Sequence, residues 1–179
     1  MRIKLMIVAV IVLFTACKQE RKESDSIQTS SEKVTEVTKT FGINTYNYDG
    51  LAPLINKKGD KTYIVNFWAT WCKPCVDELP YFEKINQEYK DKNVEVLLVS
   101  LDFPNEVEKE LLPFLKDHNI TSEVVLFDDP NQNEWINKIN PTWSGSLPAT
   151  IIYNKNSRKF YEKPFEYEEL ESELNQFLN

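Results

Sequence analysis

The sequence predicts an α/β fold in which a central mixed β-sheet is flanked by helices, and three observations carry that expectation. Short runs rich in β-branched and aromatic residues (62–68, 94–99, 124–127 and 149–153) alternate with stretches whose apolar residues recur every three or four positions. The runs contain few polar residues, as expected of strands covered on both faces. The final strand pair is separated by the polar turn Asn154-Lys155-Asn156-Ser157 and followed by a helical stretch, which adds an antiparallel hairpin to an otherwise crossover-connected sheet.

Residues 34–48 are rich in Thr, Val and Tyr and are expected to hold a short strand. Asp49-Gly50 marks a turn or cap, with a short helix from there to about Lys57. Thr62 to Trp68 reads as a buried strand. After it, Val76, Leu79, Phe82, Ile85 and Tyr89 define one apolar helical face, with Pro80 inside the run as an expected kink. Val94 to Val99 is a second central strand. A single amphipathic helix is expected over 106–118, carrying Val107, Leu111, Phe114 and Leu115 and interrupted by Pro113. Val124 to Phe127 is a third central strand, and Asp129-Pro130 opens a helix running to about Ile139. Pro141 to Ser146 is a loop, Ala149 to Tyr153 and Arg158 to Glu162 are strands, and a last helix starts near Glu166 with Leu170, Leu174, Phe177 and Leu178 on its buried side.

Composition sets the broad class. The chain is 41% hydrophobic and 27% charged, which excludes a wholly disordered polymer. Its formal net charge is −7, and Arg2 and Lys4 fall in the leader, so the remainder is more acidic still. Nucleic-acid binding is not expected of such a surface.

Residues 1–16 begin with two cations and continue as an apolar run from Leu5 to Phe14. That run is shorter than the roughly 20 residues a membrane-spanning helix needs and reads as an export signal. Phe14-Thr15-Ala16-Cys17 resembles the lipobox of bacterial lipoproteins, with Leu13 one place early and Phe14 where Leu is usual. The resemblance implies cleavage before Cys17 and lipid attachment to it. Ordinary secretion with an incidental Cys17 and an uncleaved anchor are the alternatives. Residues 17–39 read as a lipidated cysteine and flexible linker, leaving 40–179 as the folded domain.

Cys72 and Cys75 stand three positions apart at the start of a helix, where unpaired amides and positive potential favour a thiolate. Cys72, nearest the terminus, is expected to be the nucleophile, and Cys75, one turn deeper, to resolve the mixed disulfide. Lys73 adds a nearby positive charge. Pro74 restricts the turn and removes one amide donor, which favours a reducing pair. Glu78 returns to the side of Cys75 and is a candidate proton acceptor, or else a solvent-facing charge. A structural disulfide or half of a zinc site are the other readings of the pair. Zinc would need four ligands, and the single histidine, His118, lies far along the chain.

Residues 65–80, VNFWATWCKPCVDELP, resemble the active-site segment of thioredoxin-fold proteins. With Glu78-Leu79-Pro80 after the second cysteine, they are most similar to the membrane-tethered TlpA/ResA-like thiol–disulfide oxidoreductases. Ser146-Leu147-Pro148-Ala149-Thr150 resembles the family's second signature, and the resemblance spans 40–179. It implies a thioredoxin-like fold with a strand and helix inserted over 100–140. It implies attack by Cys72 and resolution by Cys75. It also implies a cis Pro148 whose loop, with Leu147, faces the disulfide, and an acidic Glu78 that tunes the cysteines. Trp68 and Trp71 match aromatics around the site, with core filling as the alternative. Two departures stand out. Asn66 occupies the place where cytoplasmic thioredoxins carry a buried Asp, and no Gly stands near Lys163-Pro164-Phe165, where many relatives have one.

The implied protein is an extracytoplasmic, lipid-anchored monomer needing no cofactor. Its clients are proteins with cysteines or disulfides, apocytochromes c among them, and its electrons come from a transmembrane thiol carrier. A peroxiredoxin-like peroxide reductase and a copper-delivery module are the alternatives on the same fold. Ala69 stands where a peroxiredoxin would carry Thr, three residues before the cysteine, and copper delivery would want a wider cysteine spacing.

Overall fold

The computed structural model describes residues 37–40 and 42–178; the leader, Cys17 and most of the linker lie outside them. The strands are β1 (Val37–Thr40), β2 (Ile43–Tyr46), β3 (Thr62–Trp68), β4 (Val94–Ser100), β5 (Glu123–Phe127), β6 (Ala149–Tyr153) and β7 (Arg158–Tyr161). They form one seven-stranded sheet in the order β1-β2-β5-β4-β3-β6-β7. Pairing is parallel from β2 through β5 and β4 to β3, and antiparallel at β1–β2, β3–β6 and β6–β7. The mixed sheet expected from the strand pattern is therefore present. β1 begins at Val37, inside the stretch read as linker.

Among the described residues five α-helices accompany the sheet: α1 (Tyr48–Leu51), α2 (Lys73–Glu88), α3 (Leu112–Asp117), α4 (Gln132–Ile139) and α5 (Tyr167–Asn175). Strand periodicity divides the core between them. Ile64 and Trp68 of β3, with Val96, Leu98 and Ile152, pack with Leu79, Phe82 and Ile85 of α2 and Leu170 and Leu174 of α5. Tyr63, Val65 and Phe67, with Leu97, Val99 and Ile151, pack with Leu51, Ile55, Trp135, Ile139 and Trp143 on the other face. Asn66 shares the α2 side with Ile64 and Trp68, a placement that follows from the two-residue repeat and decides its partners.

Three expected elements differ in detail, each for a local reason. The first helix ends at Leu51 instead of near Lys57. Asn47 caps it, accepting from the Gly50 amide at 3.0 Å, and Pro53 has no amide with which to extend the ladder. The single helix expected over 106–118 is instead a 3₁₀ turn (Pro104–Glu106), a π-helical stretch (Val107–Leu111) and then α3. Pro113 supplies no donor in the first turn of α3, and the Leu112 amide reaches back five residues to the Val107 carbonyl. The helix expected to open at Asp129-Pro130 starts at Gln132 behind Asn131. The Asp129 carboxylate instead accepts from Asn131 N at 2.9 Å and from Tyr48 N at 3.0 Å, bracing this loop against α1.

α2 continues through Pro80, which is exposed. Among the described residues no helix is long and apolar enough to cross a membrane.

Candidate redox site

β3 delivers the chain to the site. Its last residue, Trp68, is followed by a tight turn in which the Cys72 amide donates to the Ala69 carbonyl at 3.1 Å. Cys72 is the N-cap of α2, and its carbonyl accepts the first helical hydrogen bond, from Val76 at 3.0 Å. Cys72 and Cys75 are joined as a disulfide with their Cα atoms 5.3 Å apart. Cys72 keeps 6% of its surface exposed and Cys75 none, so a reactant from solvent meets Cys72 first. That exposure is smaller than an open helix terminus suggests, because the pair packs into the α2 side of the core. In the first turn Pro74 contributes no amide, leaving those of Lys73 and Cys75 to stabilise negative charge on sulfur.

Lys73 is exposed and ion-paired with Asp77 one turn on, its Nζ 2.9 Å from each carboxylate oxygen. Asp77 thus offsets much of the charge Lys73 would contribute to the sulfur. Trp68 is fully buried and lies against Phe114, with ring centroids 5.4 Å apart, whereas Trp71 is 59% exposed. The two tryptophans, similar in sequence context, therefore occupy opposite environments.

Glu78 is not a solvent-facing charge: only 1% of it is exposed. Its Oε1 accepts from Asn66 Nδ2 at 2.9 Å and its Oε2 from the Phe165 amide at 2.7 Å. Asn66 also donates to Thr150 Oγ1 at 3.1 Å, Thr150 being its direct cross-strand neighbour on β6. The Asn66 Oδ1 atom is buried with no partner among the described residues. Burial raises the Glu78 pKa to about 7, against the opposing pull of the Phe165 and Asn66 hydrogen bonds. Glu83, the other buried glutamate of α2, shows the contrast. Burial would raise it too, but three donors from Thr121 and Ser122 hold its carboxyl below the ordinary range. Glu78 alone of the two is poised to exchange a proton near neutral pH. It lines a cleft of about 190 Å³ with Pro74, Asp77, Tyr81, Pro164 and Phe165, which gives this proton a way to solvent.

The second signature meets the first through sheet register. Ala149 pairs with Phe67, so the buried Pro148 and the half-buried Leu147 lie at the end of β3 from which the Cys72 turn departs. The Leu147–Pro148 peptide is cis.

Three supports of this site were not legible in the sequence. Glu162, just past β7, accepts from the Ser144 and Ser146 amides at 3.1 Å and from the Ser144 hydroxyl, clamping the loop before Pro148. Within that loop Gly145 has φ +91°, and a Cβ there would meet Ile136 Cδ1 at 3.0 Å. Asp102, after β4, accepts from Ser100 Oγ at 2.7 Å and from the Thr70 amide and hydroxyl at 3.1 and 2.5 Å, fixing the turn that carries Trp71 and Cys72. Finally, the Phe165 amide binds Glu78 in the segment where no Gly is found. Apart from the Ser100–Asp102 contact, each joins residues at least 16 apart, so no local pattern announces it. The recurrence of single acidic residues just after strands is the only signal available. Among the described residues no group of three or more His, Cys, Asp or Glu is placed to hold a metal ion.

A helix-capping Cys-x-x-Cys disulfide beside a cis-proline loop, on a mixed sheet with helices on both faces, defines a thioredoxin-like fold. The crystal structure of a thioredoxin-family thiol:disulfide interchange protein from Chlorobium tepidum superposes with a TM-score of 0.57 at 19% identity, covering 81% of this chain and 94% of that one. Residues 51–158 match the AhpC/TSA family, and the chain belongs to it. It is 36% identical over 97 residues to the thiol-disulfide oxidoreductase ResA of Geobacillus kaustophilus, covering 54% of this chain and 50% of that protein. It is 35% identical over 96 residues to ResA of Oceanobacillus iheyensis, covering 54% and 45%. The chain thus spans about half the length of the curated relatives it matches.

Proposed function

We propose that this protein is a thiol–disulfide oxidoreductase that reduces protein disulfides outside the cytoplasm, held at a membrane by lipid on Cys17. The observation that carries the reading is the asymmetry of the pair: Cys72 caps the helix at the surface while Cys75 is sealed beneath it. The likeness to proteins named ResA supports the same chemistry.

In the reduced form the Cys72 thiolate attacks a client disulfide. A Cys72–client sulfur bond forms and the first client thiolate leaves. Cys75 then gives up its proton, and its sulfur attacks Cys72 Sγ, breaking the mixed disulfide and releasing the second client thiol. Two electrons pass to the client, and the Cys72–Cys75 disulfide is restored. Glu78, three residues along the same helix and protonatable near pH 7, serves as acceptor for the Cys75 proton. Pro148 and its loop pair with client backbone, and Trp71 flanks the reacting sulfur. The missing Pro74 amide biases the couple toward the disulfide and so toward donating electrons. Apocytochromes c and misoxidised envelope proteins fit as clients, with a membrane thiol carrier as the electron donor.

The test is the reduction potential of the Cys72–Cys75 couple, measured together with catalysed reduction of insulin. A potential near −270 mV, roughly the thioredoxin value, is expected; one near −120 mV would reverse the direction. Release of the full-length protein from membranes by Cys17→Ala tests the anchor.

A further inference from the structure

Trp71 and Phe103, 59% and 61% exposed, are the large hydrophobic residues left open to solvent among the described residues, and they line the same cleft. The cleft measures about 310 Å³ and is completed by Thr70, Asp102, Glu106, Glu110 and Phe114. Sheet register explains the convergence. Trp68 of β3 pairs with Ser100 of β4, so the chain leaving β4 toward Phe103 runs beside the turn leaving β3 toward Trp71. The Asp102 bonds to Thr70 lock the two together. A large aromatic surface left in water costs burial free energy that a soluble fold usually recovers.

The wall of the cleft carries charge of one sign. Glu110 is exposed and Glu106 half-buried, and neither is ion-paired with a Lys or Arg among the described residues. Lys73, the cation next to Cys72 in sequence, is held by Asp77. An aromatic face bordered by carboxylates suits a cation with an apolar stem, the ammonium or guanidinium resting on the ring and between the acids. Such a rim opposes an acidic polypeptide or an anionic lipid headgroup.

We propose that this cleft is a client-docking site. It receives the extended segment flanking the client cysteine and favours segments that place an apolar side chain with a Lys or Arg beside it. The inference rests on the exchange reading given above. Trp71 directly precedes Cys72, so a client held in mixed disulfide at Cys72 has its neighbouring residues within reach of the cleft, at about 3.3 Å per extended residue. Trp71 and Phe103 take the apolar side chain. Glu106 and Glu110 bias the choice of neighbour.

The experiment compares kcat/KM for two disulfide peptides that differ only in having Lys-Phe or Glu-Phe next to the cysteine, with 2-hydroxyethyl disulfide as a small uncharged substrate. The full-length reduced protein should prefer the Lys peptide by about fivefold at low salt, the size expected of two solvent-accessible charge pairs, and the preference should shrink at high salt. In Glu106→Gln/Glu110→Gln the preference should fall below about twofold, and Phe103→Ala should raise KM for both peptides. Equal rates for the two peptides, or a preference that survives the double substitution, overturn the inference while leaving exchange intact. Failure to exchange with all three substrates would remove the exchange reading and the inference together.

Discussion

Asn66 donates to Glu78 at 2.9 Å, tying the middle of β3 to the second turn of α2, with both side chains buried. The contact favours the charged carboxylate, but burial outweighs it. Removal from water raises the Glu78 pKa to about 7 against the pull of its two donors, Asn66 and the Phe165 amide. The folded-state pKa is raised, so the folded protein binds more protons than the unfolded chain between about pH 4.5 and 7. The contribution of Glu78 to stability is full below that window and is lost as the pH rises through it. Between pH 5 and 8 the loss amounts to roughly 2–3 kcal/mol. Glu78→Gln should remove this component, and urea denaturation of both proteins across that range measures it. An unchanged pH slope would show that Glu78 does not titrate as inferred.

Asn66→Asp places a second carboxyl against Glu78 and removes its side-chain donor. Like charges at this distance cannot both ionise cheaply, so the pair should retain a proton well above pH 7. We expect a loss of roughly 3 kcal/mol or more at pH 8 and a smaller loss at pH 5. Equal destabilisation at both pH values would point to packing alone.

The exposure difference between the two cysteines underlies the proposed order of exchange. Cys75→Ser should accumulate a mixed disulfide between Cys72 and client, visible by non-reducing electrophoresis and lost on adding dithiothreitol. Cys72→Ser should trap little or none. If the reverse pattern were seen, the assignment of nucleophile and resolving residue would have to be exchanged.

Glu162 holds the loop before Pro148 through two amides and a hydroxyl. Glu162→Ala should free the Ser144 and Ser146 amides, raising their hydrogen-exchange rates about tenfold, with a stability loss of about 1–2 kcal/mol. With the loop in its proposed role of pairing with client backbone, client KM should rise more than kcat falls. Unchanged exchange at both amides would dismiss the clamp.

Much of the frame was legible from local pattern. The strand from Thr62 to Trp68 was read to the residue because every side chain on it is buried, and the α2 stripe was read because one face meets the sheet. Proline exposed the limits of such reading. Pro53 ended α1 early, and the turn before Pro113 widened, in ways that depend on which carbonyls have other donors nearby.

For the site, the sequence by itself determined the pair of cysteines, their order along the helix and the proline that follows a Leu before a buried strand. These are properties of neighbouring residues and of helix polarity, which a linear chain already contains. Only the tertiary structure decided that Glu78 is buried, that Asn66 and the Phe165 amide are its donors, and that Trp71 is exposed while Trp68 is not. Those outcomes depend on solvent exclusion and on hydrogen bonds between residues far apart in the chain. Both arise only when β3, α2 and the segment after β7 come together.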